Sequence, residues 1–117
     1  MSRRSKLFLD DIAESCKRVR DDSAGLTVEQ FSTDERTIDA IVRNLEIIGE
    51  AVKNLAPELT AYRPEIEWKK IARFRDIVVH HYFKVDLEVV WDIIENKIVL
   101  LEAAVLNLSE LEEKDIS

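Results

Sequence analysis

The sequence predicts an all-α fold: an up-down bundle of about four main helices, with short connecting helices between them. Three observations carry that reading. Apolar residues recur in alternating steps of three and four along most of the chain, the spacing of one helix face. Two glycines and two prolines in 117 residues leave little material for the tight turns of a sheet protein. The periodic segments are joined by short connections, which favours antiparallel neighbours in a bundle.

The elements follow in chain order. Leu9, Ile12, Cys16 and Val19 line one helix face, and Gly25 in "RDDSAGL" can take the left-handed conformation that stops a helix. "TVEQF" opens with a capping box, Thr27 bonding toward Gln30, and predicts a short turn of helix. Ile38, Ile41, Leu45, Ile48, Val52 and Leu55 step 3-4-3-4-3. That long helix starts near Ser32–Asp34 and must stop before Pro57. "PELTAYRPEIEW" reads as a connector with a short helix after Pro57, and Pro64 as a first-turn residue of the next helix, which runs to about Phe83. Asp86 is the next N-cap. Leu87, Trp91, Ile94, Ile98, Leu101, Val105 and Leu108 then form a single 4-3-4-3-4-3 stripe. The acidic tail from about residue 109, "SELEEKDIS", is expected to fray. Residues 1–117 read as one domain with no internal repeat. The same stripes could serve a helix–helix dimer seam, although filling the bundle core is the plainer use.

Composition narrows the function classes. A charged fraction of 35% and an apolar fraction of 46% fit a soluble globular chain and exclude disorder. No apolar run approaches the ~20 residues of a membrane span, and the basic N-terminus is broken by Asp10 and Asp11, unlike a signal peptide. The single cysteine, Cys16, cannot form an internal disulfide and suits a reducing cytoplasm. The net charge of −7 argues against nucleic acid, but its distribution argues less strongly. Residues 68–84 hold Lys69, Lys70, Arg73, Arg75 and Lys84 against Asp76 alone, a local +4 that leaves −11 on the remainder. Such a patch can attract phosphate while the net charge keeps the molecule dissolved.

Both histidines lie in that basic stretch, side by side in "RFRDIVVHHYF". On a helical wheel at about 100° per residue, Arg75, Asp76, His80 and Tyr82 share one arc of about 160°. Ile71, Phe74, Ile77 and Val78 occupy the opposite arc, and His81 joins them. The adjacent histidines therefore face different environments. Asp76 and His80, four apart, can touch, and a carboxylate beside an imidazole fixes its tautomer and favours the protonated ring. Arg75 can aim a planar fork at phosphate oxygens. An arginine for phosphate, an acid-oriented histidine for proton transfer and a tyrosine hydroxyl make a phosphodiester site.

Plainer readings stand beside these. An Asp–His pair on a solvated helix face is common, an arginine more often forms a salt bridge than acts in catalysis, and His81 reads as a packing histidine. Trp68 and Trp91 read as packing residues. Glu46 and Glu50 are four apart; they are read as exposed or bonded to a neighbouring helix before being read as metal ligands or acid/base groups. A histidine metal site is not expected, because adjacent helical residues diverge by about 100° and no third ligand cluster exists. No glycine-rich phosphate loop and no serine or cysteine nucleophile motif is present.

"RDIVVHHY", Arg75 to Tyr82, resembles the R-x4-H-x-Y signature of the HepT-like toxins, compact members of the HEPN superfamily of all-helical RNases. "DERTIDAIVRNLEIIGEAVKNL" and "WKKIARFRDIVVHHYFKVDLEVVWDII" are similar to the same family, so the resemblance covers nearly the whole chain from Leu7 to Leu108. It implies a ribonuclease toxin of a prokaryotic type VII toxin–antitoxin system, working without metal or other cofactor as a homodimer. It implies that Arg75 and His80 are catalytic and that Asp76 supports them. It also implies an MNT-type minimal nucleotidyltransferase antitoxin as partner, which transfers AMP to Tyr82 and silences the RNase. Lys69, Lys70, Arg73 and Lys84 are the accompanying candidates for phosphate contacts.

The residues support part of this on their own. RNA carries its own 2′-hydroxyl nucleophile, so a base, an acid and a cation suffice. One histidine cannot be both base and acid in one step, and a two-fold dimer supplies the second. Two other readings stay open. One is a non-catalytic helical partner or substrate subunit of a small nucleotidyltransferase. The other is a plain structural bundle.

Overall fold

The computed structural model describes residues 3–76 and 86–116, with side chains at 4–76 and 86–112. The expectations for Ile77, Val78, His80, His81, Tyr82, Phe83 and Lys84 lie outside the described residues. The described chain is all-α. Its helices are α1 (Arg3–Ser23), α2 (Val28–Ser32), α3 (Glu35–Lys53), α4 (Pro57–Thr60), α5 (Trp68–Ala72), α6 (Leu87–Asn96) and α7 (Ile98–Ile116). Among the described residues no helix is long and apolar enough to cross a membrane.

Local chemistry sets most of the boundaries. α1 ends two residues before Gly25, whose φ of 77° is a conformation that costs other residues a Cβ clash. Thr27 and Gln30 form the full capping box: the Gln30 N–H donates to Thr27 Oγ1 at 3.1 Å and the Thr27 N–H to Gln30 Oε1 at 3.0 Å. Asp34 caps α3 through the Thr37 N–H at 3.1 Å, and the Thr37 hydroxyl donates to its other oxygen at 2.8 Å. Those bonds stabilise the ionised form and hold the Asp34 carboxyl below its ordinary pKa. Asp86 caps α6 in the same way, accepting from the Glu88 and Val89 N–H groups.

The core sits where α1 packs along α3 and α7, with α2 and α5 against α3 and α6 against α7. Leu9, Ile12, Cys16, Val19, Ile41, Leu45, Ile48, Val52 and Leu55 are all buried in it, as their periodicity predicts. So are Ile94, Ile98, Leu101, Val105 and Leu108. Phe31 of α2 stacks against Trp91 of α6 with ring centroids 5.2 Å apart, and Trp68 donates its indole N–H to the Arg63 carbonyl at 3.0 Å. Both tryptophans are thus packing residues. Arg20 forks onto Glu102, with Nε to Oε1 at 2.6 Å and Nη2 to Oε2 at 2.9 Å, and pins α1 to α7 beside the buried Cys16.

Four expectations need correction. Pro64 does not open a helix. It lies in a turn, and α5 begins only at Trp68. The helix expected from there to Phe83 is interrupted at Arg73, whose N–H closes α5 onto the Lys70 and Ile71 carbonyls before helical backbone resumes at 74–76. The stripe from Leu87 to Leu108 is likewise divided at Lys97, which closes α6 onto the Ile93 carbonyl. At that break the Lys97 ammonium meets Glu67 at 3.1 Å, and Lys70 holds the other Glu67 oxygen at 2.6 Å. Finally, α7 does not fray at residue 109. It continues to Ile116, Leu111 packs against the core, and Glu112 is fully buried.

Candidate active site around Arg75

The short segment after α5 presents two faces. Ile71 and Phe74 are buried, while Arg75 and Asp76 are exposed. The described half of the predicted wheel therefore holds despite the break at Arg73. Asp76 shares a face with Arg75, but its expected partner His80 lies outside the described residues, as does Tyr82.

What seats Arg75 is the far end of α3. Gly49 is buried on the α3 face turned to this segment. A Cβ at Gly49 would stand 3.0 Å from the Arg75 backbone nitrogen, 3.2 Å from the Ala72 carbonyl oxygen and 3.4 Å from the Arg75 Cβ. The two backbones touch there only because position 49 has no side chain. The next residue, Glu50, accepts from Arg75 Nη1 at 2.9 Å. Both side chains are about half exposed. An ion pair in that setting contributes at most about 1 kcal/mol, so its main consequence is to aim the guanidinium rather than to hold the fold. Glu50 thus bonds to a neighbouring helical segment, the plainer of its two readings, and Glu46 pairs with Arg43 on its own helix at 3.4 Å.

Arg75 stands between two surface cavities of opposite character. One, of about 430 Å³, is lined by Phe8, Asp11, Arg43, Glu46, Ile47, Glu50 and Ala51 together with Arg75. The other, of about 250 Å³, is lined by Lys53, Lys69, Ala72, Arg73, Arg75 and Asp76. Of the predicted phosphate contacts, Lys69 and Arg73 therefore join Arg75, whereas Lys70 is turned to Glu67 and lines other cavities. Lys84 lies outside the described residues. Gly49 and Lys53 were not singled out from the sequence. The available signal was their four-residue spacing, which puts the bare position and the lysine on one α3 face. Among the described residues no group of three or more His, Cys, Asp or Glu side chains is placed to hold a metal.

This arrangement offers an arginine whose backbone packs on α3 and whose guanidinium meets a carboxylate, open to an anionic ligand on its basic side. Comparison with known proteins points to the same chemistry. The family model "Ribonuclease HepT-like" matches residues 12–108. A Methanocaldococcus jannaschii protein described as a candidate RNase is 43% identical over 80% of this chain and 77% of its own length. A Thermococcus cleftensis protein described as a candidate ribonuclease HepT is 39% identical over 87% of this chain and 93% of its own. A candidate RNase of Caldanaerobacter subterraneus is 37% identical over 91% and 95%. No solved structure matches the chain at a significant level. With the family model spanning most of the chain and relatives covered nearly end to end, the protein belongs to the ribonuclease HepT-like family.

Proposed function

We propose that the protein is a metal-independent endoribonuclease that acts as a homodimer, with Arg75 holding the scissile phosphate and His80 moving protons. The observation that carries this reading is the seat of Arg75: its backbone packs on Gly49, its guanidinium is held by Glu50, and it also lines a basic cavity. In the reaction the 2′-oxygen of RNA attacks phosphorus and the bond from phosphorus to the 5′-oxygen breaks. One His80 accepts the 2′-hydroxyl proton, and His80 of the second copy donates a proton to the departing 5′-oxygen. Arg75 neutralises the charge that builds on the phosphoryl oxygens. Asp76 is the residue proposed to orient His80, four positions on.

Family membership supports a second part of the proposal. The protein is the toxin of a type VII toxin–antitoxin pair in the cytoplasm, and an MNT-type nucleotidyltransferase antitoxin attaches AMP to the Tyr82 hydroxyl. A nucleotide on the arc that carries Arg75 blocks phosphate binding by bulk and by charge.

The test is cleavage of RNA in the presence of EDTA by the wild type, Arg75→Ala and His80→Ala. Loss of at least a hundredfold in both variants is expected, and undiminished cleavage in both sinks the reading. Intact mass after incubation with ATP and an MNT-type nucleotidyltransferase should rise by one AMP, and not in Tyr82→Phe. A dimer that binds that enzyme tightly but cleaves no RNA would favour the alternative, a non-catalytic partner subunit.

A further inference from the structure

Most cations of the described chain are committed to carboxylates: Lys17 to Asp21, Arg18 to Glu14, Arg20 to Glu102, Arg43 to Glu46, Arg63 to Glu65, and Lys70 and Lys97 to Glu67. In a chain of net charge −7, with 24 acidic residues, that is the expected fate of a lysine or arginine. Among the described residues Arg4, Arg36, Lys53, Lys69 and Arg73 show no such pair, and the last three are gathered in one place. Lys53, Lys69 and Arg73 are each exposed, and all three line the same cavity of about 250 Å³, which Arg75 also lines. Lys69 of α5 and Arg73 at its C-cap are neighbours in sequence, whereas Lys53, from the last turn of α3, joins them only through tertiary packing. Like charges brought together without counterions repel, and the arrangement gains by admitting an anion.

We infer that this cavity is the track for the RNA backbone flanking the scissile phosphate, with Lys53, Lys69 and Arg73 each contacting a phosphate and Arg75 closing its catalytic end. The inference rests on the ribonuclease reading and extends it by naming how substrate lies: along the α3–α5 edge, on the side of Arg75 away from Glu46 and Glu50. Lys53 is the informative member, because it lies outside the basic stretch of 68–84 and only the fold brings it to the track. Among the described residues Asp76, next to Arg75 in the chain, is the one carboxylate lining the cavity. A mononucleotide, with one phosphate group, cannot satisfy three separate cations in this way, whereas a strand presents a row of them.

The probe is a single-stranded RNA 12-mer bearing 2′-O-methyl groups, which cannot be cleaved, titrated against full-length protein at several salt concentrations. Lys53→Gln, Lys69→Gln and Arg73→Gln should each weaken binding about threefold to tenfold at low salt. Each should reduce the slope of log affinity against log salt by about 0.7, the value for one phosphate contact to a single strand. With cleavable RNA, KM should rise by a similar factor and kcat should hold. Arg36→Gln, at the opposite end of α3, should change neither. Free AMP should bind all the proteins weakly and alike. If Lys53→Gln and Arg73→Gln match Arg36→Gln in slope and KM while the wild type cleaves RNA, the track is overturned and the ribonuclease reading stands. If the variants weaken AMP and the 12-mer equally, a single phosphate site replaces the track. A wild type that neither binds nor cleaves RNA overturns both.

Discussion

Gly49 of α3 and Arg75 touch backbone to backbone: a Cβ at position 49 would lie 3.0 Å from the Arg75 nitrogen. In an ordinary solvated helix, replacing glycine by alanine stabilises by up to about 1 kcal/mol. Here the atoms in the way are mostly backbone, which cannot rotate aside as the end of a side chain would. Overpacking of this kind costs roughly 1–3 kcal/mol, so the sign should reverse. Gly49→Ala is expected to lower the melting temperature by a few degrees and Gly49→Val by more. Cleavage should fall further than stability does, because a shift of about 1 Å in a positioning group can cost two orders of magnitude in rate. Thermal unfolding and RNA cleavage on the same samples check both; a higher melting temperature for Gly49→Ala would show that the Arg75 segment yields.

Glu50 separates aim from stability at the same place. Its pair with Arg75 is half exposed on both sides, so Glu50→Gln should cost less than about 1 kcal/mol of folding free energy. The amide keeps an acceptor but loses the charge that holds the guanidinium. Turnover should drop severalfold, while KM for RNA stays level or falls because a competing carboxylate has become neutral. Steady-state kinetics beside a melting curve decide it, and an unchanged kcat would mean that Gly49 alone seats Arg75.

Glu112 presents the opposite case, a polar group with an energetic cost. It is fully buried on α7, and among the described residues neither carboxylate oxygen has a hydrogen-bond partner. An unsatisfied buried polar group costs about 1–3 kcal/mol, and a charged one more. Glu112→Met, which keeps the length and removes the polar oxygens, is expected to stabilise the fold by at least 1 kcal/mol, or about 4 °C for a domain of this size. Calorimetry checks this. A lower melting temperature would show that the carboxylate has a role in the folded chain.

What the sequence displays and what it hides follow from the range of the interactions involved. Caps at Thr27, Asp34 and Asp86 are legible because partner and cap lie within three residues. The core faces of α1 and α3 are legible because burial imposes a period. The breaks at Arg73 and Lys97 are not, since the apolar stripe runs through both without a proline or glycine to mark them. The Glu67 carboxylate that meets Lys97 comes from 30 residues away. Glu112 misleads because an acidic tail reads as solvated. At the candidate site, the exposed face with Arg75 and Asp76 is readable from the wheel. Its seat is not, because Gly49 owes its role to a segment more than twenty residues on, and Lys53 joins the basic cavity only through the fold.

Cys16 yields a prediction with a defined pH window. Burial pushes its thiol up to about 12, the nearby Glu102 carboxylate adds to the rise, and the Arg20 guanidinium opposes it. In the folded protein the group stays a neutral thiol at any pH where the chain is handled, and the thiolate is the reactive species. Ellman's reagent at pH 8 should therefore leave Cys16 unmodified until denaturant is added, then titrate one thiol. The linkage sign follows from the raised folded value. Below pH 9.0, the ordinary thiol value, both states keep the proton and the contribution to stability is whole. From 9.0 toward 12 the unfolded chain loses its proton while the folded chain keeps it, so stability falls as the pH rises. Cys16→Ala removes that slope, at the cost of a small cavity that lowers stability at every pH. Denaturant melts of wild type and Cys16→Ala at pH 7, 9 and 10.5 should converge as the pH rises. Curves that stay parallel, or folded protein that reacts promptly at pH 8, would mean that the α1–α7 contact around Cys16 opens readily in solution.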